Sequence, residues 1–277
     1  MTRRSLFEIA GGLALAGYAS AAEKSRSGRL KQSACRWCYK DMSLDDLCRH
    51  GAEIGLTGID LVSYDEWPTV RKYGLVPSMT PGAGTISDGW NRKENHDRLE
   101  REMRENVQRA AAAKVSNVIT FSGLRRGQPD AEGQENCIAG LNRVKKIAED
   151  HDVTICMELL NSKIDHHDYQ CDHTAWGVGV MKGVDSPRVK LLYDIYHMQI
   201  MEGDIIRTIR ENMQYIAHFH TGGVPGRHEL DDTQELQWRT VATAIADLNY
   251  QGYFAHEFIP THDPMTSLSD AVKLCTV

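Results

Sequence analysis

What the chain lacks narrows it before any motif is read. It has no basic excess: 32 lysines and arginines face 38 aspartates and glutamates, for a formal net charge of −6. A groove for nucleic acid works by displacing phosphate counterions with a cationic surface, so this balance argues against one. The seven cysteines (Cys35, Cys38, Cys48, Cys137, Cys156, Cys171, Cys275) are odd in number and irregularly spaced. That is no disulfide framework, and it suits buried small hydrophobes. Cys35-Arg36-Trp37-Cys38 has C-x-x-C spacing, but it falls in a stretch expected to be a strand, where positions three apart face opposite sides, and no second pair completes a zinc site. No G-x-G-x-x-G follows the first expected strand, which disfavours a dinucleotide-binding sheet. No internal repeat, low-complexity tract or Pro-rich linker divides the chain.

A long hydrophobic run is also missing. The apolar, small-residue segment at 9–19 is about half the ~20 residues that a membrane-spanning helix needs. It follows Arg3-Arg4 and precedes Ala19-Ser20-Ala21, a small-x-small cleavage pattern. Residues 1–22 therefore read as an export signal of the twin-arginine type, 23–32 as a polar linker, and 33–277 as the catalytic domain. The expectation is an exported, periplasmic protein with no stable membrane insertion once mature; a signal that does not function leaves it cytoplasmic. Self-association is left open.

What the chain does have is alternation. Apolar strands are expected near 34–39, 58–62, 75–79, 117–121, 153–158, 189–194, 215–220 and 253–257. Between them run stripes of helical period: Leu44, Leu47, Cys48, Gly51 and Ala52 behind Ser43 as N-cap; Leu99, Met103, Val107, Ala110 and Ala111; Ile138, Leu141, Val144, Ile147 and Ala148; and Val241, Ala244, Ile245 and Leu248. Eight strand–helix units in about 250 residues predict a single (β/α)8 TIM barrel, an α/β fold with its active site beyond the C-terminal ends of the strands. The longest irregular pieces, 80–92, 159–170 and 221–233, all follow strands.

Four consecutive strands deliver a ligand-type side chain to that end: Glu158, Asp194, His220 and Glu257. Three clustered carboxylates raise one another's pKa unless a cation compensates. An oxygen-rich site with one imidazole suits Mn²⁺ or Mg²⁺ and accepts Co²⁺ or Zn²⁺. His218, two residues away on the same face, is an alternative to His220.

At these residues a family becomes recognisable. The segments Met157-Glu158-Leu159-Leu160-Asn161-Ser162-Lys163, Tyr193-Asp194-Ile195-Tyr196-His197-Met198-Gln199, His220-Thr221-Gly222-Gly223-Val224-Pro225-Gly226-Arg227-His228-Glu229 and Gly252-Tyr253-Phe254-Ala255-His256-Glu257 resemble the hydroxypyruvate isomerases. Those belong to the xylose-isomerase-like barrels, which also hold the tagatose and psicose epimerases. The resemblance implies that Glu158 and Glu257 are metal-bound carboxylates flanking the substrate, that Asp194 and His220 complete the shell, and that His197 and Arg227 hold substrate oxygens. One departure is His220, where hydroxypyruvate isomerases commonly have Gln and the ketose epimerases have His.

The implied chemistry is proton transfer α to a carbonyl through an enediolate, with hydroxypyruvate giving tartronate semialdehyde. The alternatives are a periplasmic ketose or keto-sugar 3-epimerase or lyase on the same site, a phosphodiesterase like the apurinic-site endonucleases, and a non-catalytic sugar-binding barrel. Smaller signals are Asn161 and Lys163, placed to reach a substrate hydroxyl or carboxylate; Asp165-His166-His167-Asp168 with Asp172-His173, a solvated loop or a second metal site; and Trp90, a rim or packing residue. Glu202 and Asp204 read as an ordinary helix N-terminus.

Overall fold

The computed structural model describes residues 28–277. The export-signal reading, and the linker reading up to residue 27, lie outside the described residues. Nine strand segments, β1 (Lys31–Cys35), β2 (Gly58–Asp60), β3 (Val76–Pro77), β4 (Thr80–Ala83), β5 (Asn117–Thr120), β6 (Thr154–Glu158), β7 (Val189–Asp194), β8 (Ile216–Thr221) and β9 (Tyr253–His256), pair in parallel in the order β3-β2-β1-β9-β8-β7-β6-β5-β4. The two ends of that order, β3 and β4, are consecutive in the chain and separated only by Ser78 and Met79. The sheet therefore curls into a nearly closed barrel whose third stave is broken in two, with Ser78 N bonded to Ile59 O at 3.0 Å and Asn117 Nδ2 to Ser78 O at 3.0 Å across the break.

That stave differs from expectation, since Thr80–Ala83 reads as loop yet is strand. Pro81 and Gly82 look like turn residues, but here they make a bulge: the register against β5 shifts between Pro81 and Ala83. A Cβ at Gly82 would lie 2.4 Å from Ile119 O. The first stave also shifts. It is Lys31–Cys35, two residues of which fall in the expected linker, and Arg36–Tyr39 coils into a 3-10 turn instead of continuing the strand. Gln32 looks too polar for a barrel strand but is buried because its amide is satisfied, Nε2 donating to Val272 O at 3.2 Å and Oε1 lying 2.9 Å from His256 Nε2. The Cys35–Cys38 spacing thus spans a strand end and a turn, and all seven cysteines are free.

Outside the barrel lie α1 (Leu44–Ile54), α2 (Trp67–Lys72), α3 (His96–Ala112), α4 (Asp130–Asn142), α5 (Lys145–Asp150), α6 (Thr174–Val184), α7 (Ile195–Met201), α8 (Ile205–Asn212), α9 (Trp238–Ala246) and α10 (Pro264–Cys275). Ser43 caps α1, its Oγ accepting from Asp46 N at 3.0 Å. The stripe from Ile138 to Ala148 is continuous in sequence, but its backbone breaks at Arg143-Val144 into α4 and α5. None of these helices is long and apolar enough to cross a membrane. Inside the barrel, Met79, Ile119, Cys156 and Leu192 form a small apolar plug. Cys156 and Leu192 lie two residues before Glu158 and Asp194 and on the same strand faces, so the plug is the floor on which the acidic groups stand.

Candidate active site

Each acidic group owes its position to a strand end. Glu158 and Asp194 are the last residues of β6 and β7, His220 is the penultimate residue of β8, and Glu257 follows β9 with its N–H still bonded to Thr221 O at 3.0 Å. Asp194 and His220 are register partners, which sets their side chains adjacent on the inner face. One ligand atom from each of the four residues lies within 4.8 Å of the others, and all four are buried. His220 Nδ1 stands 2.6 Å from Glu257 Oε2, 3.3 Å from Glu158 Oε1 and 3.9 Å from Asp194 Oδ2. It makes no well-aligned hydrogen bond there.

The other ring nitrogen fixes that orientation. His220 Nε2 is 2.9 Å from Asp60 Oδ2, at the end of β2, and Ser78 Oγ donates to Asp60 Oδ1 at 2.5 Å. His218 Nε2 also contacts Asp60, at 3.2 Å, so His218 faces one layer below and His220 is the imidazole of the four-residue cluster. Trp37 Nε1 donates to Glu257 Oε1 at 2.5 Å. Arg227 enters from the loop after β8 with a left-handed backbone, φ +59°. Its Nη2 donates to Asp194 Oδ2 at 2.6 Å and to Glu257 Oε2, its Nη1 to His197 Nε2 at 2.8 Å, and its guanidinium stacks 4.7 Å from the Tyr196 ring centroid.

Burial and charge pull the carboxylates apart. Burial, reinforced by the Glu257 charge, pushes Glu158 up to about 7 even though His220 opposes it. Burial also acts on Glu257, but Arg227 and His220 outweigh it and bring that group down to about 2. Asp194 is raised, chiefly by burial against the opposing pull of Arg227. His197 is held neutral, well below its ordinary range, by burial and by the Arg227 charge. Arg227 alone does not balance three carboxylates, and His220, against burial, is raised well above its ordinary range, chiefly by the Glu257 charge; its Nδ1, with no well-aligned hydrogen bond, is aimed at the cluster, where a cation could take the place of its proton. Glu158, Asp194, His220 and Glu257 therefore fit an ion that takes oxygen and one nitrogen.

Comparison with known proteins identifies the barrel. The sequence profile of the xylose isomerase-like TIM barrel family matches residues 68–275. The chain belongs to that family. A Xenopus laevis protein named "putative hydroxypyruvate isomerase" is 30% identical over 146 residues, 53% of this chain and 53% of that protein, so the chain spans about half the length of that curated relative. A D-psicose 3-epimerase of Ruminiclostridium cellulolyticum is 34% identical over 122 residues, 43% of this chain and 39% of the epimerase. The crystal structure of an AP endonuclease, family 2, from Brucella melitensis superposes with a TM-score of 0.76 over 86% of this chain and 97% of that one, at 22% identity, which is a likeness of fold.

Within this xylose isomerase-like barrel, Glu158, Glu257, His197 and Arg227 line one cavity of about 740 Å³. Asn161 and Lys163 do not line it, contrary to the expectation that they reach substrate. Lys163 Nζ donates to Ile200 O at 2.8 Å and Met201 O at 2.9 Å, at the C-terminal end of α7, where a cation offsets the helix dipole. Asn161 is buried beneath His197, with Nδ2 2.7 Å from His197 Nδ1 and Oδ1 accepting from the backbone of Ile164 and Asp165. Trp90 is fully buried and donates to Thr120 Oγ1 at 2.7 Å, a packing role. Asp172 is spent on Arg125, Ser162 and His173, and Asp168 on the Arg126 N–H. Glu202 accepts from Thr174 at the start of α6, and Asp204 pairs with Arg207.

Sequence reasoning missed the places of Asp60, of Trp37 and of Cys35, whose Sγ lies 3.8 Å from His220 Nε2. Asp60 carries the same signal as the other ligands, an acid at a strand end, but the strand expected to run to Val62 hides it in mid-strand.

Proposed function

We propose that this protein is a metal-dependent isomerase of a small α-hydroxycarbonyl compound. The observation that carries the reading is the convergence of Glu158, Asp194, His220 and Glu257 on one buried point at the floor of the cavity. Hydroxypyruvate, giving tartronate semialdehyde, is the reaction that the Xenopus relative's name points to. Mn²⁺ or Mg²⁺ is the first choice of ion for such an oxygen-rich set, with Co²⁺ or Zn²⁺ next.

A bound divalent ion would supply positive charge where an enediolate develops. Glu257, kept ionised by Arg227 and Trp37, takes the proton from the hydroxyl-bearing carbon; Glu257 or Glu158 returns it to the neighbouring carbon. Arg227 donates to a substrate oxygen, and neutral His197, whose Nε2 accepts from Nη1, holds that guanidinium in place.

A second reading is an epimerase or lyase acting on a ketose or keto-sugar, with the proton delivered to the opposite face. His220 favours it, as does the likeness to a psicose epimerase, and so does the paired-arginine start, which would place the protein in the periplasm with extracytoplasmic sugars. A phosphodiesterase is less supported, because the chain carries a net charge of −6.

The test is proton NMR of hydroxypyruvate and common ketoses in D₂O with the protein and Mn²⁺ or Mg²⁺. Deuterium entering one substrate at the α-carbon, with chelator abolishing it, supports the reading and chooses between its two forms. A substrate that is bound but not exchanged points to a non-catalytic barrel and overturns it.

A further inference from the structure

The cavity has two unlike sides. Its floor toward β6–β9 carries the acidic cluster, whereas the wall built from β2, β4 and β5 is formed by Leu61, Pro81, Ala83, Ile86, Ile119 and Phe121. The polar side chains on that wall are already engaged. Asn106 Nδ2 donates to Gly82 O at 2.6 Å, and Glu102 holds Arg98 at 2.9 Å and the Gly84 N–H at 3.3 Å. The rim continues the same character. Of the five exposed large hydrophobic residues among the described residues, Trp37 (43% exposed), Ile164 (64%) and Ile259 (42%) all line this one mouth. Exposed apolar side chains gathered at a single cavity mark a binding surface.

A three-carbon acid held by Arg227 and the carboxylates would leave most of about 740 Å³ unfilled. A free ketose with a hydroxyl on every carbon would press several of them, desolvated and unpartnered, against Ile119 and Phe121, at a cost for each group. The geometry points to a substrate of mixed character, an α-hydroxycarbonyl compound whose reacting end sits at the Glu158–Glu257 cluster and whose other end is an apolar group about the size of an aromatic ring, lying on the β2–β5 wall. This rests on the reaction proposed above and narrows its substrate class.

Hydroxamates mimic an enediolate and let the two ends be varied separately. Calorimetric titration of the Mn²⁺-loaded protein with acetohydroxamate and with benzohydroxamate is expected to give tighter binding of the phenyl compound by roughly ten- to a hundredfold, the gain for burying one ring. Phe121→Ser should shrink that preference to within a few-fold, and so should Ile164→Asp, whose exposed position leaves folding undisturbed. Equal affinities for the two hydroxamates, or a preference untouched by both substitutions, would overturn the assignment. A metal-free arm keeps it separate from the reaction itself. NMR line broadening of benzyl alcohol needs no ion, so broadening that Phe121→Ser reduces supports the apolar wall even if neither hydroxamate binds, in which case the metal-centred reading fails alone. Absence of broadening in the unsubstituted protein counts against the wall.

Discussion

On the β6–β9 side of the mouth every strand ends in a group that can carry charge. On the β2–β5 side the strands end in Asp60, turned down onto His220, and in Ala83, Thr120 and the Phe121 that follows it. Both sides are made in the same way, from residues that a parallel barrel presents at its C-terminal edge. They differ in what the chain spends to put them there. Burying Glu158, Asp194 and Glu257 together is costly in the absence of a counter-ion, and nothing in the packing of the barrel requires it. Burying Ile119 or Phe121 is what any strand does. A costly arrangement therefore points to chemistry, and an inexpensive one shows its purpose only when the shape of the cavity is known.

The comparison breaks most sharply at Glu257. Glu257→Gln removes the base but keeps the shape, so α-proton exchange should fall by about 10³-fold while circular dichroism stays that of the folded protein. Phe121→Ser, across the cavity, should retain far more exchange with a small substrate. Full exchange in Glu257→Gln would show that the acidic side is not where the proton moves.

Asp60 tests whether the two sides are coupled. Its carboxylate holds His220 Nε2, which leaves Nδ1 toward the cluster, and a carboxylate behind a ligating imidazole is worth about 10- to 100-fold in metal affinity. Asp60→Asn should weaken Mn²⁺ binding by that factor in a calorimetric titration. Unchanged affinity would reduce Asp60 to a packing partner of Ser78 and His218.

A smaller effect is set by pH. Glu158 must lose its proton to ligate, and its value of about 7 lies above its ordinary 4.5. His220, raised well above its ordinary range against burial, chiefly by the Glu257 charge, must lose a proton as well, so metal affinity should rise at least about tenfold per pH unit up to neutrality and go on rising above it, with proton release on Mn²⁺ addition measurable in weak buffer. The metal-free protein shows the converse. Its folded state holds the Glu158 proton more tightly than the unfolded chain, so stability falls as pH rises from about 4.5 to about 7, by roughly 3 kcal/mol at most. Glu257, brought down to about 2, acts in the lower window, where stability is lost as pH falls from 4.5 toward 2. Melting temperatures of the metal-free protein and of its Glu158→Gln variant at pH 5 and pH 8 isolate the first sign, because His197 and His256, buried and neutral, favour the higher pH on their own; the unsubstituted protein should lose more stability than the variant from pH 5 to pH 8, and an equal or smaller loss would contradict it.

The barrel and its acidic side were legible in the sequence for the same reason: both rest on period. Apolar runs of strand length alternating with helical stripes predict the staves, and a carboxylate or imidazole at the end of four successive runs predicts the cluster. The third stave was not legible past Met79, because Pro81 and Gly82 carry turn chemistry that the bulge against Ile119 uses within a strand. Gln32 hid the start of the first stave, since only the structure shows its amide satisfied by Val272 and His256. Lys163 lies in a loop on the active face, which suggests a reach to substrate, yet a long side chain goes where unsatisfied acceptors are, and those are the last carbonyls of α7. The apolar wall was invisible because nothing in a sequence separates an isoleucine facing substrate from one facing core.

The least disruptive probe lies just outside the cluster, at an acid in the same loop as Arg227. Glu229 is also buried, with 8% of its surface exposed, and, unlike Glu158 and Asp194, its pKa goes down, to about 2. Burial opposes that shift and is outweighed by donors: Oε1 accepts from the N–H groups of Thr261 and His262 at 2.7 and 3.2 Å and from Ser267 Oγ at 2.9 Å, and Oε2 accepts from Thr261 Oγ1 at 2.9 Å. A buried acid surrounded by donors needs no cation, so it belongs to the scaffold, tying the loop after β8 to the segment that leads into α10. Glu229→Gln keeps one acceptor oxygen and loses the charge-assisted part, so urea unfolding at neutral pH should show a loss of about 1–2 kcal/mol. Mn²⁺ affinity should stay within a few-fold of the unsubstituted protein. A large drop in metal affinity with unchanged stability would put Glu229 on the chemical side of the mouth after all.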